Sequence, residues 1–94
     1  MGSDSMSTVL ADIEEELKFC QISVESESRL EFVIEVLQEI NSKLEDLMLK
    51  QKLSDSEMEL AKSLYQKARL LLHRAQAILS IRDKEQEKFL PKRV

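Results

Sequence analysis

The sequence predicts an all-α fold, an antiparallel three-helix bundle, on three observations. Apolar residues recur at alternating spacings of three and four along three separate stretches, the period of helices that pack side by side. Serine-centred capping patterns stand between the stretches. One glycine and one proline in 94 residues leave few turn signals for a β fold. With 43 % hydrophobic and 34 % charged residues, the chain is apolar enough to fold and large enough for one core only. A long helical hairpin that dimerises into a four-helix bundle is the alternative.

The first five residues, Met1-Gly2-Ser3-Asp4-Ser5, read as a cloning remnant ahead of a natural start at Met6 and contain the glycine. Residues 6–90 are assigned to a single domain and 91–94 to a tail. The first helix is expected over about residues 8–24, with Ser7 as N-cap and a seam of Leu10, Ile13, Leu17, Cys20 and Val24. Continuing that phase would place Glu27 and Glu31 in the seam, and residues 23–28 are rich in serine and glutamate, so the helix should break there.

Ser28 followed by Glu31 forms a capping-box pattern for a second helix over about residues 28–52, with a seam of Leu30, Val33, Leu37, Ile40, Leu44 and Leu47. Ser54 with Glu57 forms another capping box, and Leu53 and Met58 occupy the positions of a hydrophobic staple, so a third helix is expected over about 55–88. The short connection between the second and third helices forces them antiparallel.

The third helix carries three columns of seven-residue period: Ala61, Ala68, Ala75; Leu64, Leu71, Ile78; and Met58, Tyr65, Leu72, Leu79. At about 100° per residue the alanines lie between two ridges of large side chains. Such a face suits a helix seated between two others, which favours three helices over a hairpin. Glu14 and Lys18, Glu25 and Arg29, Glu39 and Lys43, and Asp46 and Lys50 are acid-before-base pairs at i, i+4. The Glu25–Arg29 spacing speaks for a continuous helix there and keeps the hairpin open.

Net charge is −4, divided as −9 over residues 1–47 and +5 over residues 48–94. The plain account is that an acidic pair of helices packs beside a basic one. No charged segment followed by an apolar run marks a secretory signal, and the longest run of large apolar residues is Leu70-Leu71-Leu72, so a cytoplasmic protein with no membrane partner is expected.

Residues suited to chemistry are few. Cys20, the only cysteine, precludes an intramolecular disulfide and falls in the core seam. His73, the only histidine, shares a polar stripe with Lys62, Gln66, Arg69 and Gln76, and no nucleophile or carboxylate joins it by spacing. Asp12, Glu14, Glu15 and Glu16 read as a solvated acidic face, since a di-metal carboxylate bundle would need Glu-x-x-His motifs. The expectation is therefore no enzyme, no cofactor and no metal. Asn41 stands in a flank column between Ile34 and Met48, where it is either half exposed or a polar device that fixes register.

What remains is a protein-protein interaction or oligomerisation module of adaptor or scaffold type, binding a partner helix or a second copy, possible homodimers included. Leu70, Ala77 and Ile81 lie on a second face of the third helix, and Phe89 and Leu90 continue toward Pro91, which should stop it. The third helix should outrun the second, so that Ile81, Phe89 and Leu90 overhang as a docking strip, and Phe32 with Val36 makes a similar outward pair on the second. The alternative is an accessory subunit associated with nucleic acid through Lys62, Lys67, Arg69, Arg74, Arg82, Lys84, Lys88, Lys92 and Arg93. An acidic chain with 4 % aromatic residues makes nucleic acid an unlikely partner.

Overall fold

The computed structural model describes the backbone of residues 2–89 and the side chains of residues 8–82. Three helices, α1 (Gly2–Glu25), α2 (Leu30–Lys50) and α3 (Asp55–Phe89), pack against one another in a bundle. The interface of α3 with α2 is the most extensive, and α1 touches both.

The seams meet at the centre. Leu10, Ile13, Leu17, Cys20 and Val24 of α1, Leu30, Val33, Leu37, Ile40 and Leu44 of α2, and Ala61, Leu64, Ala68, Leu71 and Ala75 of α3 form one buried core. Leu47, Leu53, Tyr65, Leu72, Ile78 and Leu79 cover its edges half-buried. The three alanines are fully buried at 0 % exposure, so α3 sits between α1 and α2 with its small residues at the closest approach.

The helix boundaries show what side-chain periodicity leaves open. α1 already begins at Gly2, so Ser7 is an interior residue rather than an N-cap. Residues 2–6 hold glycine, aspartate and two serines, all poor helix formers, yet the backbone is helical from Gly2 onward.

The break between α1 and α2 falls where expected but is built differently. Ser28 N–H donates to the carbonyl of Ser23 and Glu27 N–H to that of Val24, the paired bonds of a Schellman ending, with Glu27 in the left-handed region at φ 56°. Arg29 is the N-cap of α2, also left-handed at φ 53°, and no side chain caps the helix. The Ser28–Glu31 capping box is therefore absent. Ser28's N–H is committed to ending α1, and its hydroxyl lies 3.1 Å from that of Ser26. Two left-handed residues reverse the chain within four positions, which excludes the continuous hairpin. They also remove the helical geometry that a Glu25–Arg29 pair would need.

The second boundary follows its sequence pattern. Ser54 N–H donates to Glu57 Oε1 at 2.9 Å and Glu57 N–H to Ser54 Oγ at 3.2 Å, a reciprocal capping box. Leu53 and Met58 on either side are half-buried. Of the surface pairs, Asp46–Lys50 forms at 3.7 Å, whereas Lys18 pairs with Glu15 rather than Glu14, also at 3.7 Å.

At the other end of the bundle Arg82 of α3 binds the α1–α2 turn. Its guanidinium donates to the Glu27 carbonyl at 2.9 Å and meets the Glu27 carboxylate at 3.2 Å. Ile81 is thus level with the turn rather than beyond it, because the turn itself lengthens the bundle. The helix continues from there to Phe89, a further ~10 Å at 1.5 Å per residue.

Candidate interaction surfaces

Three grooves run along a three-helix bundle, and here they differ in chemistry. The groove between α1 and α3 encloses about 310 Å³ and is floored by Leu17, Leu64 and Leu71. Leu70 stands at its margin, 68 % exposed. Glu14, Lys18 and Gln21 of α1 face Lys67 and Arg74 of α3 across it, so an apolar floor lies between walls of mixed charge. A parallel pair of helices whose mutual contact is less extensive than that of α2 and α3 leaves this space open.

From Leu70 the outer face of α3 continues through Ala77, which is exposed, to Ile81 at 57 % exposure. These three lie about 140–180° around the helix from the buried alanine column, so the face that holds α3 in the bundle cannot also cover them. Between Glu59 and Asp83 this helix has five basic residues and no acid. Among the described residues the only ion pair joining two helical segments is Arg82–Glu27, reached through the turn. Mutual neutralisation of acidic and basic helices is accordingly realised at one contact, and Lys62, Lys67 and Arg74 face outward. The last two members of the expected strip, Phe89 and Leu90, lie outside the residues whose side chains are described.

The groove between α1 and α2 is aromatic and acidic. Phe19 of α1, 50 % exposed, and Phe32 of α2, 52 % exposed, line it with half-buried Val36, beside Glu15 and Glu16. Phe32 and Val36 therefore do not join the α3 strip. Their side of α2 meets α1, whereas Asn41 and Glu45 stand on the side that meets α3. Phe19 was not expected in this groove, nor Ile22, one turn on, as an exposed side chain at 65 %. The available signal was their position outside the α1 seam at a helical spacing of three, much as Phe32 and Val36 stand outside the α2 seam at a spacing of four.

The acidic run of α1 is divided between grooves, Glu14 turning toward α3 and Glu15 and Glu16 toward α2. Among the described residues no three side chains of the metal-ligating kinds stand together, and no helix is long and apolar enough to cross a membrane.

Between α2 and α3 lies a polar seam. Tyr65 donates its hydroxyl to Glu45 at 2.7 Å, and the Arg69 guanidinium lies over the Tyr65 ring, 5.8 Å from its centre. Half-buried Asn41 sits beside them with its Oδ1 buried and unpartnered. His73 is exposed at the same margin. Cys20 is fully buried, and burial, with Glu16 nearby, pushes its thiol up to about 11, so it stays protonated at neutral pH.

Compared with protein-family models, curated proteins and solved structures, the chain matches none.

Proposed function

We propose that this chain is a non-enzymatic helical interaction module of adaptor or scaffold type, docking a protein helix along the outer face of α3. The observation that carries the reading is the continuity of apolar surface from the floor of the α1–α3 groove onto Leu70, Ala77 and Ile81. Singly exposed apolar side chains are common on proteins, but a groove opening onto a helical strip offers anchors at helical spacing. A partner helix with large apolar residues would fill the groove, and acidic groups at its margins would meet Lys67 and Arg74.

Leu70→Glu combined with Ile81→Glu tests the reading. Both side chains are exposed, so helical content and melting temperature should hold while self-association or capture of the native partner falls. Equal mass for parent and double variant across the micromolar range, with undiminished partner capture, would remove the strip from consideration. The acid-free stretch of α3 favours one second reading, accessory contact with nucleic acid. Binding of a duplex that weakens steeply with moderate salt would identify it.

A further inference from the structure

The same chain carries two surfaces of opposite charge and matching apolar character. The α1–α2 groove presents Phe19, Phe32 and Val36 beside Glu15 and Glu16. The outer strip of α3 presents Leu70, Ala77 and Ile81 beside Lys67 and Arg74. We propose that the occupant of the α1–α2 groove is the α3 strip of a second copy of this chain. The inference rests on the reading of that strip as a docking surface and adds what it docks into.

Charge complementarity favours a second copy over an unrelated helix. Among the described residues, the acids of α1 and α2 and the bases of α3 stand almost without cross-helix ion pairs, the Arg82–Glu27 contact excepted. The groove needs an occupant that is helical, apolar along one line and basic at its margins, and residues 62–82 answer each requirement. Leu70 and Ile81 are large enough to meet the two phenylalanines, and Ala77 between them allows close approach.

The placement of the surfaces also fixes the form of the assembly. The groove opens on the side of the bundle away from α3, and the strip runs along the outer face of α3, with Leu70, Lys67 and Arg74 at its α1 edge. Two copies therefore cannot exchange both contacts at once. Each contact is head-to-tail and leaves one groove and one strip unused, so association continues past the dimer.

Sedimentation velocity over a concentration series reads this directly. The parent should grow in mean mass without a plateau at the dimer, and growth should fall when salt is raised from about 20 mM to about 500 mM. Glu15→Lys with Glu16→Lys in the groove, or Lys67→Glu with Arg74→Glu at the strip, should each weaken growth by about tenfold or more. All four positions are on the surface, and circular dichroism checks that each variant keeps its helices. An equimolar mixture of the two variants should regain growth, because each groove then meets a strip of opposite sign. Adding Phe32→Ala to both should abolish the rescue, which separates a seated contact from general attraction between oppositely charged proteins.

A parent that stays monomeric throughout would overturn the inference, as would a closed dimer or a rescue indifferent to Phe32→Ala. Loss of association in the strip variant but not in the groove variant would overturn it while leaving α3 as the docking surface. If Leu70→Glu with Ile81→Glu also leaves self-association and native-partner capture unchanged, the proposed function fails with it.

Discussion

Arg29→Gly should raise the stability of the domain, against the rule that glycine weakens helical proteins. Arg29 holds φ 53° and ψ 41° at the entry to α2, a conformation that costs a residue with a Cβ about 1–2 kcal/mol. Its side chain donates no capping bond, and glycine is accepted at an N-cap. Against the relief stands the greater freedom of glycine in the unfolded chain, about 0.4–1 kcal/mol. Taken at the middle of each range, the net gain is about 0.8 kcal/mol, which for a domain of this size raises the melting temperature by roughly 3–6 °C. Thermal unfolding followed by circular dichroism measures it. Arg29→Ala is the control, because it removes the same charge and side chain but keeps the Cβ. A glycine variant that melts below the parent would refute the reasoning. An alanine variant with an equal gain would show that removal of the arginine, and not relief of the backbone, was responsible.

Ala68→Leu should overpack the closest approach of α3 to its neighbours and cost on the order of 1–3 kcal/mol, so a melting temperature equal to the parent's would place Ala68 at the surface. Asn41→Leu should stabilise by about 1 kcal/mol or more, since it removes a buried acceptor with no partner, and should broaden the distribution of oligomers if Asn41 fixes register. A destabilised Asn41→Leu variant of unchanged mass would reveal a hydrogen bond at that amide. Cys20 should resist thiol reagents at pH 8 until denaturant is added, and labelling of the folded protein at the rate of a free thiol would contradict its burial. Its raised pKa means that the neutral thiol's contribution to stability is complete below its ordinary value of 9.0 and is lost as pH rises toward about 11. Cys20→Ala should flatten that part of the pH profile.

The core was legible because helix packing depends on a period, and a period survives the loss of every other kind of information. Among the described residues, the fifteen buried apolar side chains lie in the seams and columns at spacings of three, four and seven. The Ser54–Glu57 cap was legible because its geometry is local, with both partners within four residues. Ser28 carries the same pattern with Glu31, but its N–H was already claimed by Ser23, a bond that depends on where α1 ends. The turn was obscured further because glutamate and arginine occupy left-handed positions that usually carry glycine. Which helix face meets which neighbour is also a tertiary fact. Phe32 and Val36 could be seen to point outward, but only the placement of α1 against α2 supplies Phe19 and makes a groove of them.

The unequal sharing of interface among the helices sets an order of events in time. α2 and α3 meet most extensively and are joined by a four-residue link ending in the Ser54–Glu57 box. Both hairpins close across links of four residues, so loop closure does not separate them, and it is the larger α2–α3 interface that makes this hairpin the one expected first, with α1 docking onto it. In the folded molecule the same inequality runs backwards. α1 is the element that peels away at least cost, and amide hydrogens along it exchange sooner than those of α2 and α3.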